Sequence, residues 1–351
     1  MVLIGYFFSN ILCLLIAVAF YTLAERKMIG SIQRRKGPEL VGAWGILQPF
    51  ADGLKAILKE SMGPTKIYFI PYYIAPLWVF FWSISSWFYI PTTLIFNSLI
   101  CFEYSLLLLI LFSTIGSLGI LIAGFGSNSK YTFLGALRAI SQIISYELIL
   151  GLILIPIIIL AGSYNLIEIV YDQKEVWNIF LLTPASIIFY ITILAETNRI
   201  PFDLPEAEAE LVAGYNLDYS GFLFAMFFLG EYSSMLVLSF LFILIFLGGW
   251  LIPKTFIITL KIYHYIIFKS FESISLILKV FSLSSIFIIL RSVCPRYRFD
   301  QLLKLCWLKL LPNITALVYF YITLIYQLDI APLNKISFID LQYLFDSSFN
   351  Y

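Results

Sequence analysis

Eight apolar runs, each near the roughly 20 residues that carry a helix across a bilayer, divide this chain of 351 residues. They fall near 2–24, 67–90, 104–124, 138–160, 179–197, 219–247, 274–290 and 306–325. Inside hydrocarbon no water is present to satisfy backbone groups, so runs of this kind fold as helices. The predicted fold class is therefore an all-α integral membrane protein with about eight transmembrane helices. The first run is too long, and too closely followed by Glu25 and Arg26 without a small-residue cleavage site, for a cleaved signal peptide, and is expected to be a retained helix. Without a repeat or a low-complexity linker, 1–325 reads as a single polytopic membrane domain. Residues 326–351 then form a C-terminal extension on the outer side.

Composition narrows the function. With 61% hydrophobic residues, 12% charged residues and a net charge of +1, the chain has too few and too scattered charges for a nucleic-acid face. Cys13, Cys101, Cys294 and Cys306 show no CxxC spacing, and His264 stands alone. That set predicts neither a zinc site nor an iron-sulfur cluster on this chain.

Lys and Arg collect in the loops after the first, third, fifth and seventh runs, while the opposite face holds Lys174, Lys254, Lys261, Lys269 and Lys335. Positively charged short loops stay on the side from which helices insert. Both termini are thus predicted outside and the long loops inside. One inner loop departs from this rule: "AETNRIPFDLPEAEAELVAGYN" begins a stretch from Glu196 to Asp218 in which six acids face only Arg199. Pro201 and Pro205 break the preceding helix, and Pro205 suits the first position of a new one. Glu206 and Glu208 then sit in its first turn, where the helix dipole favours anions. Asp203, Glu206 and Glu210, at offsets 0, 3 and 7, form roughly one stripe. A solvated, well-capped loop helix explains that much.

Further charges ask for more. Glu147 lies within the fourth run, Glu231 within the sixth and Lys279 within the seventh. Ionisable groups at that depth are costly and usually face a bundle interior or water, on an ion or proton path. A Glu kept protonated or paired for structure is the alternative, with Lys279 as a candidate partner. In the first inner loop, "FADGLKAILKE" puts Phe50, Leu54, Ile57 and Leu58 on one face and Asp52, Lys55 and Lys59 towards the other. That is an amphipathic helix suited to the membrane surface. Gly124-Phe125-Gly126 follows a membrane run rather than a strand, so it reads as a turn and not a nucleotide cradle.

The blocks "AERKMIGSIQRRKGP", "GILQPFADGLKAILKE", "GSNSKYTFLGALRAISQIISYE", "AETNRIPFDLPEAEAELVAGYN", "LGEYSSM" and "RSVCPRYRFDQLLKLCW" resemble, in order, the family of subunit 1 of respiratory NADH:ubiquinone oxidoreductase, complex I, in its mitochondrial form. The resemblance implies a membrane-arm subunit whose inner loops wall a ubiquinone chamber. Arg26, Arg35, Asp52, Arg199 and Arg296 would line that chamber or its entrance. Glu147, Glu196, Asp203, Glu206, Glu208, Glu210 and Glu231, with Lys279, would form a proton and coupling path. Ubiquinone is then substrate, and NADH, FMN and iron-sulfur clusters belong to partner subunits. Hydrophilic-arm subunits at the quinone site, antiporter-like membrane subunits and the lipid bilayer are the expected partners. Ser61 where the family has proline, and Arg34 where it commonly has an apolar residue, depart from the pattern.

A secondary transporter with broken helices, or the membrane subunit of an energy-converting hydrogenase, are the rival readings; the hydrogenase subunit is expected to lack the "LQPFADGLK" block. The 33 Phe and 23 Tyr and the apolar chain favour the mitochondrial inner membrane, with both termini towards the intermembrane space, over a bacterial plasma membrane.

Overall fold

The computed structural model describes residues 2–91, 102–204, 214–252 and 265–327. All eight apolar runs coincide with helices, and the described residues contain no strand. Helix α1 is Val2–Ile32, α2 is Gln48–Leu58, and α3, Phe69–Ser85, continues as a 3-10 turn to Tyr89. Next come α4, Ser105–Gly126, α5, Lys130–Ala161, α6, Leu166–Asp172, α7, Asn178–Leu181, and α8, Thr183–Glu196. The described chain closes with α9, Gly221–Phe246, α10, Tyr265–Val293, α11, Phe299–Lys304, a π-helical turn Leu305–Leu310 and α12, Leu311–Gln327.

Six of these segments are long and apolar enough to cross a membrane: Phe69–Tyr89, Ser105–Gly126, Lys130–Ala161, Gly221–Phe246, Phe271–Val293 and Phe299–Gln327. Among the described residues, then, the first predicted span, in α1, is not one of these six, and neither is the fifth. Leu182 breaks it, and α8 has 14 residues, about 21 Å at 1.5 Å per residue, against a hydrocarbon core of about 30 Å. In contrast, α5 starts well before its apolar run, because the Ser129 side chain accepts the Thr132 N–H and caps the helix. It stops at Gly162, whose φ of 63° is the left-handed turn that ends helices.

Packing uses close backbone approach as well as apolar area, as membrane bundles do. A Cβ on Gly126 of α4 would lie 2.7 Å from the Tyr72 nitrogen of α3, and one on Gly135 of α5 would lie 2.8 Å from Gly214 Cα. The largest apolar cluster joins α5, α6, α8, α9, α10 and α12 around Ile153, Phe189, Phe246 and Ile314. A second lies between α3, α4, α5 and the segment around Tyr215, Tyr219 and Phe227. A third fixes α1 to α9 and α10 through Leu14, Val18, Met235 and Ile288. Leu107, Leu111 and Leu118 of α4 point outward, the pattern expected of a lipid-facing surface.

Two polar ends result. At one, the first loop, the end of α8, the start of α9 and the end of α10 meet: Met62 N–H donates to Ser220 at 2.8 Å, and Tyr297 N–H to Pro201 O at 3.0 Å. At the other, α4 meets the α5–α6 turn, with Leu106 N–H donating to Tyr164 O at 3.2 Å.

Candidate functional site

The first polar end is organised by a residue that no sequence pattern singles out. Glu25, near the end of α1, is 5% exposed and receives three donors. Arg199 Nη1 lies 3.4 Å away, Tyr232 Oη donates at 2.6 Å, and Arg291 Nη1 is in direct contact. Glu25 stands just past the first predicted span, and burial alone would raise its carboxyl pKa. The guanidiniums of Arg199 and Arg291 outweigh burial and hold it below the usual range. Arg199 also lies over the Tyr232 ring, 4.3 Å from its centroid. Two guanidiniums thus meet on one carboxylate.

This cluster forms one wall of a cavity of about 1050 Å³. The cavity is lined by Glu25, Arg26, Arg35, Asp52, Tyr232 and Arg291, with apolar surface from Leu15, Val18, Ile29, Phe224 and Phe228. The folded first loop makes the opposite wall. Arg35 N–H returns to Gly30 O at 2.8 Å, Lys27 bonds the Trp44 carbonyl, and Arg26 pairs with Asp52 at 2.7 Å. Helix α2 has no buried residue; Phe50, Leu54, Ile57 and Leu58 are all at least half exposed. The predicted amphipathic helix is present, and apart from an edge-on contact of Phe50 with Phe20 its apolar face is left largely exposed by the described residues.

Glu231, next to Tyr232 on α9, faces a different space. It accepts from Tyr215 Oη and lines a smaller cavity of about 80 Å³ with Glu196, Asn198, Thr197, Ser83, Ser113 and Ser117. Most of the wall is apolar, from Val79, Trp82, Phe112, Ile120, Ile143, Val237 and Leu238, and the hydroxyls and carboxylates form polar patches on it. Glu147 interacts electrostatically with Glu196. Glu147 Oε1 and Glu196 Oε2 are buried without a hydrogen-bond partner among the described residues. Arg199 lines neither cavity; it bonds Glu25 and is flanked in sequence by Asn198 on the small cavity and Ile200 on the large one. Asp203, 5% exposed, pairs with Arg296 at 3.1 Å.

The described start of the acidic loop is held by buried Gln142 of α5, which donates to both Ala195 O at 2.7 Å and Phe202 O at 2.9 Å. One amide therefore pins the chain as it leaves α8, from Ala195 to Phe202. Tyr297 stacks on Phe202, with ring centroids 5.6 Å apart.

The structure gathers Arg26, Arg35 and Asp52 on the large cavity, Arg199 between cavities, and Glu196 and Glu231 on the small one, with Glu147 beside it. Arg296 stands apart from the large cavity, on Asp203. Glu206, Glu208 and Glu210 lie outside the described residues. Lys279 is not brought to the carboxylates; its ammonium donates to three main-chain carbonyls, Leu247, Gly249 and Leu251. Glu25, Tyr232 and Arg291 escape a reading of the sequence because each sits beside a charge or an apolar run that masks it. The clue is the juxtaposition of Glu25 with a long apolar run, which is costly without a partner.

The described residues thus form an all-helical membrane protein with a buried charge cluster beside a large cavity and a smaller cavity that holds two carboxylates. The chain belongs to the NADH dehydrogenase family, whose model matches residues 6–323. It is 47% identical over 311 residues to "NADH-ubiquinone oxidoreductase chain 1" of Chondrus crispus, covering 88% of this chain and 92% of that one. It is 49% identical over 305 residues to the protein of the same name from Arabidopsis thaliana, covering 86% and 90%. A subunit of the NADH-quinone oxidoreductase of the bacterium Paramagnetospirillum magneticum is 46% identical over 305 residues, covering 86% of each.

Proposed function

We propose that the chain works as the membrane-arm subunit of a proton-translocating NADH:quinone oxidoreductase, in which it walls the quinone chamber and relays quinone reduction to proton movement. The observation that carries this reading is the buried cluster of Glu25, Arg199, Tyr232 and Arg291, set beside a cavity large enough for a quinone headgroup and next to a second cavity that holds Glu196 and Glu231. The large cavity combines charged residues at one wall with apolar residues at the other, as a small-molecule site does. Its apolar side continues towards α2, so a quinone enters from lipid along that helix. Glu25, Arg26, Arg35, Asp52, Arg199 and Arg291 set the electrostatics that the headgroup meets. The path then runs through Glu231 to Glu196 and Glu147, with Asp203 as a side branch on Arg296, and the acids of the intervening loop complete it. Electrons reach the quinone from partner subunits, which also close the first loop, where Leu40 and Trp44 are strongly exposed.

Hydrophilic-arm and antiporter-like subunits are the partners on this reading. The location is the mitochondrial inner membrane, with both termini towards the intermembrane space and the large cavity towards the matrix. Protease protection of a tag on either terminus, in intact and in opened mitoplasts, checks that orientation.

The deciding experiment is Glu231→Gln in the assembled complex, with NADH-driven quinone reduction and proton pumping read together. At least a tenfold fall in both is expected, from a complex that assembles. Unchanged rates in an assembled complex would remove the coupling role and leave a structural carboxylate.

A further inference from the structure

Helix α9 ends in a place where its carbonyls have no solvent to turn to. Its last turn, with the loop that follows, lies against the middle of α10, and the last carbonyls of any helix lack intrahelical donors. Here almost every one has been given a donor. Ile243 O accepts from Leu247 and Gly249 N–H at 3.0 and 2.9 Å, and Gly248 O from Leu251 N–H at 2.9 Å. Leu244 O accepts from Gln173 and Ile245 O from Asn178, each at 2.9 Å. Trp250 O accepts from Ser275 at 3.0 Å. Apart from that of Phe246, the carbonyls of Leu247, Gly249 and Leu251 remain, and these three converge.

Their convergence is a property of the backbone. Gly248 and Gly249 have φ of 67° and 53°, the left-handed region that glycine enters freely. Two such residues in succession curl the chain until alternate carbonyls face one point. Side chains are excluded there too, since a Cβ on Gly248 would lie 3.0 Å from the Trp177 ring. Lys279 Nζ occupies that point, at 2.8 Å from Leu247 O, 2.9 Å from Gly249 O and 2.8 Å from Leu251 O. Three acceptors use all three donors of an ammonium. The Trp177 ring closes the remaining side, 4.4 Å from the nitrogen.

We propose that the 247–251 turn is a monovalent-cation site made of main-chain carbonyls and permanently filled by Lys279. Lys279 is thereby a positioning residue: it locks the end of the helix that presents Glu231 and Tyr232, and it takes no part in carrying protons. The clamp rests on geometry alone, while its readout through pumping rests on the proposed function.

Lysine and arginine separate the two roles, because arginine donates to carbonyls and does not release its proton in proteins. The experiment compares Lys279→Arg and Lys279→Met in the assembled complex, with assembly on native gels, quinone reduction, and protons pumped per quinone reduced. Lys279→Arg is expected to assemble and keep at least half of the parental pumping ratio. Lys279→Met is expected to assemble at a quarter of the parental level or less. An assembled Lys279→Arg complex that reduces quinone but has lost pumping would overturn the proposal, as would a Lys279→Met complex identical to the parent. If neither variant assembles, Lys279→Ala grown with added methylamine or high potassium decides: recovered assembly supports a cation site, and no recovery with either overturns it. A parental complex that does not pump would sink the functional reading instead, and native-gel assembly would still read the clamp.

Discussion

The two polar ends of this molecule answer buried charge in opposite ways. Around Glu25, one carboxylate faces two guanidiniums and a phenol, beside a cavity of about 1050 Å³. Around Lys279, one ammonium meets three carbonyls and a ring, with all three donors used. The first arrangement leaves charge in excess and space next to it, so its state depends on what enters. The second is closed and saturated. Charge buried in a membrane protein is therefore not by itself a sign of transport; the acceptors around it decide.

The sharpest way to break the comparison is Arg199→Met. It removes a buried cation from Glu25, and stripping one partner from a buried ion pair costs about 3–5 kcal/mol. Quinone reduction per assembled complex should fall by more than tenfold, with reduced thermal stability on native gels. Rates within twofold of the parent would mean that the polar end is as structural as the clamp.

Gln142→Leu comes next. It leaves the carbonyls of Ala195 and Phe202 without their shared donor, at about 1–3 kcal/mol for each stranded group. The acidic loop should loosen while the helices stay packed. Proteolysis within the segment from Glu196 to Asp218 should become faster, and pumping should drop several-fold more than quinone binding. Unaltered proteolysis would show that the Pro201 region and Tyr297 hold the loop unaided.

Glu196→Gln changes charge without changing shape, so it asks about the small cavity alone. Protons pumped per quinone reduced should fall several-fold, and the KM for quinone should stay within twofold, since Glu196 does not line the large cavity. A raised KM with normal pumping would place Glu196 in the quinone site instead.

The fold was legible because each apolar run had to become a helix, and the family blocks were long enough to declare themselves. What periodicity could not show was where helices stop. The break at Leu182 and the cap at Ser129 depend on a few residues that leave hydropathy unchanged. The candidate site was half legible for a similar reason. Glu147, Glu231 and Lys279 stood out as charges inside apolar runs, but depth in the membrane says nothing about partners. Lys279 looked like a counter-charge for a glutamate until the left-handed pair Gly248 and Gly249 placed carbonyls around it. Glu25 showed in the sequence only as a charge that closes the first apolar run. The tertiary fold brings Arg199 and Arg291 from 174 and 266 residues away, and no local pattern encodes that.

The smallest effect is expected at the rim of the large cavity, where Arg26 and Asp52 pair at 2.7 Å with 53% and 40% of their side chains exposed. Exposed pairs of this kind contribute at most about 1 kcal/mol, and salt screens them. Asp52→Asn should therefore leave assembly and thermal stability within error of the parent. Its consequence should be confined to substrate: the pair lines the cavity mouth, so losing it should raise the KM for quinone two- to fivefold at low salt with kcat unchanged. Raising ionic strength should move the parental KM towards that of the variant, because both treatments weaken the same interaction. A variant with parental KM at every salt concentration would show that the rim is solvated surface. The functional cavity would then begin deeper, at Glu25.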